Sequence, residues 1–286
     1  MVNQVQETQA DSVNGDATAN PAKQAQGQLV IIGGAEDKDG DCKILREFVR
    51  LSGGLDAKIV VMTVATELPR EVGDNYIRVF ERLGVKDVRI ADTTDREDAR
   101  SSTILESIDK ATGVFFTGGD QARITDTLKG TEIHKALLKR YRDGITVGGT
   151  SAGASMMSAT MIVEGDSETH PRLEIVETDE GMSFLPEVVI DQHFSQRGRI
   201  GRLLAAVARK PHLLGLGIDE NTAVVVSNHQ LEVIGEASCT IVDLKGSSHS
   251  NIDTLLRDEN LALCDVKLHV LPDGYKFDLA TRSPIL

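Results

Sequence analysis

From residue 28 onward, short apolar runs alternate with amphipathic segments. Leu29-Val30-Ile31-Ile32 reads as a first strand ending in Gly33-Gly34. From about Asp41 to Leu51 the apolar residues Ile44, Leu45, Phe48 and Val49 recur at helical spacing on one face. Lys58 to Thr63 is a second strand, Tyr76 to Leu83 lies in the next helix, and Val88-Arg89-Ile90 is a short strand. Ser101 to Lys110 reads as a helix with Ile104, Leu105 and Ile108 on its apolar side. Val114-Phe115-Phe116 is a strand ending in Gly118-Gly119-Asp120, Ile133 to Tyr141 is a helix, and Ile145 to Val147 is a further strand. This βαβα order predicts parallel strands joined by right-handed crossovers in one three-layer α/β/α domain with a mainly parallel sheet.

The second half changes texture. Val188-Val189-Ile190 reads as a strand ending in Asp191-Gln192-His193. A helix from about Arg197 to Ala208 follows, with Ile200, Leu203, Leu204 and Val207 as its buried stripe. Leu213 to Ile218 is a strand ending in Asp219-Glu220. Closely spaced runs then follow at Ala223–Val226, Leu231–Ile234, Thr240–Leu244, Lys267–Leu271 and Lys276–Leu279, and predict C-terminal antiparallel hairpins at the sheet edge. Residues 1–27 are polar and without apolar period, so they are expected to form a disordered tail before a single domain over 28–286.

Composition sharpens this picture at a few points. Of the 286 residues 40% are apolar and 3% aromatic, and Trp is absent, which suits a core of Val, Ile, Leu and Ala in a covered parallel sheet. A net charge of −13 argues against general nucleic-acid binding and favours a cationic partner. The three cysteines show no metal-ligand spacing and no disulfide framework, and read as small buried hydrophobes. No stretch is apolar for long enough to span a membrane, and the N-terminus lacks a secretory pattern, so a cytoplasmic location is expected.

The stretch with most chemistry in it is Gly148-Gly149-Thr150-Ser151-Ala152-Gly153-Ala154. Gly149-x-Ser151-x-Gly153 fits a nucleophile elbow, a sharp strand-to-helix turn that lifts a serine hydroxyl clear of the sheet. The other reading is a glycine-rich turn that cradles a phosphate in a non-catalytic ligand-binding domain. No Gly-x-Gly-x-x-Gly follows the first strand and no lysine sits in the turn, which weighs against it. Ligand sites in such sheets lie at the carboxyl ends of strands, where Gly33-Gly34, Gly118-Gly119-Asp120 and Gly149-Thr150-Ser151 all fall.

A serine needs a base to take its proton. Of the seven histidines, His193 directly follows a strand and belongs at the same edge as Ser151; His170, in an acidic loop, is a weaker candidate. The base needs an orienting acid. Glu220 ends the Leu213–Ile218 strand at that edge and is favoured, with Asp166 and Glu168 as rivals. Arg197, Arg199 and Arg202 open the next helix, the latter two on a side away from the apolar stripe. Forked guanidinium groups beside the base suggest anchors for substrate carboxylates.

Taken together, Gly33-Gly34-Ala35-Glu36-Asp37-Lys38, Gly118-Gly119-Asp120-Gln121, Gly149-Thr150-Ser151-Ala152-Gly153-Ala154 and Asp191-Gln192-His193-Phe194 resemble the cyanophycinases. These belong to the serine-peptidase group that also holds the aspartyl dipeptidase peptidase E. The resemblance runs from about Gln28 to the C-terminus. It implies a glutamine-amidotransferase-like α/β fold and an intracellular serine exopeptidase. That enzyme cuts cyanophycin, a poly-aspartate backbone with arginine on each side-chain carboxyl, to β-aspartyl-arginine dipeptides. On the same ground Ser151 is the nucleophile, His193 the base and Glu220 the acid, with N–H groups of Gly119 and Ala152 for the oxyanion. Gln121, Asp191, Gln192, Arg197, Arg199 and Arg202 become substrate contacts, and Asp120 or Asp191 is expected to take the substrate's cation. Neither metal nor cofactor is implied, and a homodimer is, supported by an apolar face on a C-terminal hairpin. The closest rival is a peptidase E-like enzyme cutting aspartyl dipeptides, which has no need of the arginines as a set.

Overall fold

The computed structural model describes residues 27–167, 170–256 and 259–286. Apart from Gly27, the expected polar tail lies outside the described residues. The first half follows the alternation of its pattern. In chain order it runs β1 (Gln28–Ile32), α1 (Lys43–Leu51), β2 (Lys58–Met62), α2 (Pro69–Arg82), β3 (Asp87–Ala91), α3 (Ser102–Lys110) and β4 (Gly113–Phe116), then α4 (Gln121–Leu128), α5 (Glu132–Arg142) and β5 (Thr146–Thr150). Helix α2 starts seven residues ahead of the expected segment because Pro69 opens it, with φ preset for a first turn and no N–H to satisfy. Helix α4 was not foreseen; Asp120 caps it by accepting the Ala122 N–H at 2.8 Å.

The second half contains the four-residue α6 (Ala152–Ser155), the hairpin β6 (Thr160–Gly165) and β7 (Val176–Glu180), then β8 (Val188–Gln192), α7 (Ile200–Arg209) and β9 (Leu214–Ile218). It ends in β10 (Thr222–Ser227), β11 (Gln230–Gly235), β12 (Ser238–Asp243), the short pair β13 (His249–Ser250) and β14 (Leu263–Cys264), β15 (Lys267–Pro272), β16 (Lys276–Asp278) and β17 (Ser283–Ile285).

The main sheet has the order β17-β16-β11-β10-β1-β5-β4-β2-β3. Strands β1, β5, β4, β2 and β3 are parallel, and β10 joins antiparallel to β1 and carries the C-terminal hairpins. Both faces are covered, so β1 is apolar at every position after its first. Leu29 and Ile31 pack on the side of α3, α4 and α5, while Val30 and Ile32 pack with Phe48, Tyr76 and Phe80 of α1 and α2. Alternate residues of one strand therefore belong to two cores.

Strands β8 and β9 do not extend the main sheet. They pair parallel in a second, four-stranded sheet of order β15-β12-β9-β8, whose other pairings are antiparallel. Val188, Ile190, Leu216 and Ile218 pack into the same core as α3 to α5, while Val189, Leu203, Val207 and Val242 form a further core under α7. A run such as Val188–Ile190 announces a strand buried on both faces, but the pattern carries no information on which strand it pairs with. Cys42 and Cys239 are buried as expected; Cys264 is exposed. No helix among the described residues is long and apolar enough to cross a membrane.

Candidate active site

Strand β5 is buried along its whole length and ends at Thr150, where the chain turns sharply into α6. Ser151 makes the turn with φ 52° and ψ −109°, a conformation costing about 1–3 kcal/mol for a residue with a Cβ. Backbone bonds hold it there. Its N–H donates to Ile32 O at 3.0 Å, and its carbonyl accepts the Ala154 and Ser155 N–H groups, both at 3.0 Å. Gly149 is required by close approach, since a Cβ there would lie 2.2 Å from Gly153 O.

His193 follows β8 and also has positive φ, 48°. Its N–H donates to Gly33 O at 2.7 Å, and the Phe194 N–H donates to Ile218 O at 3.2 Å, which stitches the end of β8 to the ends of β1 and β9. This seam brings the second sheet's strand ends to the elbow. Ser151 Oγ lies 3.0 Å from His193 Nε2, and His193 Nδ1 lies 2.6 Å from Glu220 Oε1. Glu220 is held from behind, its N–H donating to Gln196 Oε1 at 3.1 Å. Of the rival acids, Asp166 lines the adjoining cleft without bonding His193, and Glu168 lies outside the described residues.

Gly34 forms the wall behind the imidazole, with φ 101°. A Cβ there would meet His193 Cε1 at 2.3 Å and Nε2 at 2.5 Å. Gly34→Ala is therefore expected to displace the ring and lower turnover about 100-fold, the typical cost of an ångström-scale misplacement. Steady-state rates beside a melting curve check this; a soluble, folded variant with the parent's rate would show that the ring has room to move.

The N–H groups of Gly119 and Ala152, expected at the oxyanion, donate to no acceptor among the described residues. Gly119 follows the end of β4 and lines one cleft with Ser151, and Ala152 opens α6 directly after the serine. Next to them a cleft of about 740 Å³ runs from Ser151 and His193 to the β6–β7 hairpin and the start of α7. Gln121, Gln192, Arg197, Arg199 and Arg202 all line it, as does Arg172, which sequence reasoning missed. Arg172 lies far from the arginine cluster in the chain and reaches the cleft only through the β6–β7 connection. Gln121 also donates its amide N–H to Ile162 O at 3.1 Å and to Val163 O, tying α4 to β6.

The arginines differ from expectation. A left-handed Gly198, φ 61°, precedes α7, which starts at Ile200 and buries Arg202, Ala205 and Ala208 as well as Leu203 and Val207 of the expected stripe. Ile200 is 41% exposed, while Arg199 and Arg202 are buried. Asp191 draws both guanidinium groups inward. Arg202 Nε donates to Asp191 Oδ2 at 2.7 Å and its Nη2 to Oδ1, while Arg199 Nη1 reaches Oδ1 at 3.5 Å. Arg199 also donates to Gln192 O at 2.5 Å and Oε1 at 3.2 Å, and Arg202 to Gly165 O at 3.0 Å. Burial and the neighbouring Arg202 charge lower the Arg199 pKa to about 10, which leaves it cationic at neutral pH. Its Nε is buried without a partner among the described residues.

The two residues expected to take the substrate's cation, Asp191 and Asp120, both have partners within the protein. Asp191 is 0% exposed with both oxygens engaged by arginine. Asp120 is taken up by capping α4 and does not line the cleft. The acids that do line it are Glu164, Asp166, Glu174 and Glu177. Both signs of charge therefore face one cleft.

Sequence reasoning also gave no role to Glu36, although its motif was noticed. The Glu36 side chain is 1% exposed, and its carboxylate accepts the Thr150 hydroxyl and the Tyr76 phenol, each at 2.5 Å. The signal was present: a charged residue two positions after a glycine pair at a strand end.

Comparison with known proteins shows the family. Residues 29–234 match the model of Peptidase family S51. A cyanophycinase of Geminocystis herdmanii is 38% identical over 259 residues, covering 90% of this chain and 95% of that protein. A cyanophycinase of a Nostoc species is 40% identical over 257 residues, covering 89% and 86%. Among solved structures, a peptidase from an acI-B1 Actinobacterium superposes with a TM-score of 0.61 at 20% identity, covering 90% of this chain and 98% of that one, a likeness of fold. A strained serine between glycines, a histidine and a carboxylate in hydrogen-bonding sequence, and a family match over most of the chain lead to one conclusion: the chain belongs to peptidase family S51.

Proposed function

We propose that the protein is a cyanophycinase, a serine exopeptidase that hydrolyses cyanophycin to β-aspartyl-arginine dipeptides. The observation that carries this reading is the hydrogen-bonded order Ser151–His193–Glu220 opening onto a cleft lined by four arginines and four acids. Every branch of cyanophycin ends in a guanidinium and a carboxylate, so a matching cleft needs both signs. The extent of the likeness to curated cyanophycinases supports the same substrate.

In this reading Ser151 Oγ attacks a backbone carbonyl carbon of the polymer while His193 Nε2 takes the hydroxyl proton. Glu220 holds the ring with Nε2 free to accept and stabilises the imidazolium. The Gly119 and Ala152 N–H groups receive the oxyanion, which exists only at the tetrahedral stage, so their contribution falls on the transition state. Collapse breaks the carbon–nitrogen bond as His193 returns the proton to the leaving amine. Water, deprotonated by His193, then cleaves the acyl ester, and the proton returns to Ser151.

The direct test is incubation of purified protein with insoluble cyanophycin and mass analysis of the soluble products. Release of β-aspartyl-arginine is expected; cleavage of aspartyl dipeptides with no attack on the polymer would move the assignment to a peptidase E-like enzyme. Glu220→Gln keeps the shape but orients the ring poorly, and is expected to lower turnover by about 10³–10⁴. A fall of less than tenfold would remove Glu220 from the reaction.

A homodimer is part of the proposal. Leu268 and Val270 are 53% and 58% exposed on β15, the edge strand of the second sheet. Sedimentation at two protein concentrations, with Val270→Lys beside the parent, tests it; a monomeric parent would refute it.

A further inference from the structure

Ser151 stands at the junction of two clefts. Besides the arginine-lined one, a second of about 500 Å³ opens beside it, and Ser151 is the one lining residue they share among those described. Its walls are the loop after β1, the exposed face of α2 and the turn at Gly118 and Thr150. A peptide bond under attack at Ser151 Oγ has chain on both sides, and one cleft accommodates only one side.

The chemistry of the second cleft is set by a buried charge. Glu36 at its floor has both carboxylate oxygens occupied, Oε2 by Thr150 and Oε1 by Tyr76 at 2.5 Å and by Lys38 at 2.8 Å. Burial, and then the Glu36 charge, raise the Tyr76 pKa well above the ordinary range, so the phenol stays a neutral donor. Glu36 is thus internally satisfied and offers nothing to a ligand. Lys38 differs. Its ammonium lies 5.2 Å from the Tyr76 ring centroid, is 27% exposed, and directs one of its three donors to Glu36. It is the cation that this floor presents to an occupant. Glu71 and Arg78, one turn apart from Asn75 on either side along the exposed face of α2, line the cleft with opposite charges.

We propose that the second cleft receives the aspartyl-arginine unit across the scissile bond from the one in the arginine-lined cleft, with Lys38 pairing with a carboxylate of that unit. This rests on the cyanophycin reading. A terminal unit carries two carboxylates, that of its arginine and that of the main chain, and either meets an ammonium with a charge-assisted hydrogen bond.

The test uses a synthetic dimer of two β-aspartyl-arginine units and the full-length protein. Asn75→Trp places a bulky ring at an exposed helix position over the cleft, and Lys38→Met removes the cation. Both are expected to raise KM for the dimer at least tenfold, while labelling of Ser151 by a small alkyl fluorophosphonate, too short to enter either cleft, stays within twofold of the parent. Unchanged KM in both variants would overturn the proposal; if Lys38→Met fails to fold, Asn75→Trp decides. Two further dimers, one amidated at the main-chain carboxyl and one at the arginine carboxyls, locate the contact. Lys38→Met is expected to lose its effect on one of them, and an equal effect on all three substrates would overturn the Lys38 pairing. A parent enzyme that is labelled yet leaves the dimer intact would overturn the cyanophycin reading itself, and this inference with it.

Discussion

Ser151→Ala is expected to lower turnover of cyanophycin about 10⁶-fold while leaving its binding almost unchanged. The size follows from what the substitution deletes. The hydroxyl is the atom that forms the acyl bond in the proposed cycle, and His193, 3.0 Å away, is left with no proton to take. What remains is the backbone N–H pair and the cleft, which by themselves support only residual hydrolysis. Binding is kept because the arginines and acids that line the cleft belong to other elements. The elbow also keeps its shape, since it is held by backbone bonds to Ile32, Ala154 and Ser155. Product release measured by mass analysis, beside co-sedimentation of the variant with cyanophycin granules, separates the two effects. A variant within tenfold of the parent would remove Ser151 from the chemistry.

The second large effect is on stability. Asp191→Asn is expected to cost about 3–5 kcal/mol, because it removes the carboxylate from a buried cluster and leaves two arginines facing each other. Asp191 is 0% exposed, and Arg202 and Arg199 are both buried around it. The gain from forming such a cluster is small, since desolvating the charges offsets most of their attraction; breaking it is costly, since the remaining cations stay desolvated. The melting temperature is expected to fall by about 10 °C. Replacing Asp191 and Arg202 together by Leu and Met removes one buried cation along with the anion and is expected to recover part of that loss without restoring activity. An Asp191→Asn protein that melts with the parent would show that the arginines are not confined by this carboxylate.

This cluster also marks where reading the chain runs out. Arg197, Arg199 and Arg202 are legible as a basic group beside a histidine, and all three line the cleft. Their burial is not legible, because it depends on the carboxylate of Asp191, which the fold and not the helical repeat brings against them. Ile200, expected in the apolar stripe, is exposed, while Arg199 and Arg202 are buried. Asp191 is legible as a strand-end residue, yet whether it meets substrate or protein depends on what packs behind it. Arg172 reaches the site from a segment whose local pattern contains nothing catalytic. The elbow is the opposite case. Gly149, Ser151 and Gly153 are needed within five residues, so the constraint is local and the chain displays it.

The amino-acid pattern determines by itself the parallel β1–β5 core, because strands buried on both faces must be apolar throughout and their crossovers must be amphipathic. It also determines the strand ends where chemistry is expected, and hence Ser151, His193 and Glu220 as candidates. Tertiary structure alone decided that β8 and β9 form a second sheet and that the Gly33–His193 bond docks its end on β1. It decided too that Glu220 is the carboxylate 2.6 Å from His193 and that a second cleft adjoins Ser151. The physical reason is the range of the interactions. Periodicity and turn chemistry act between residues a few positions apart, whereas strand pairing and the matching of buried charges join residues that the chain keeps far apart until it folds.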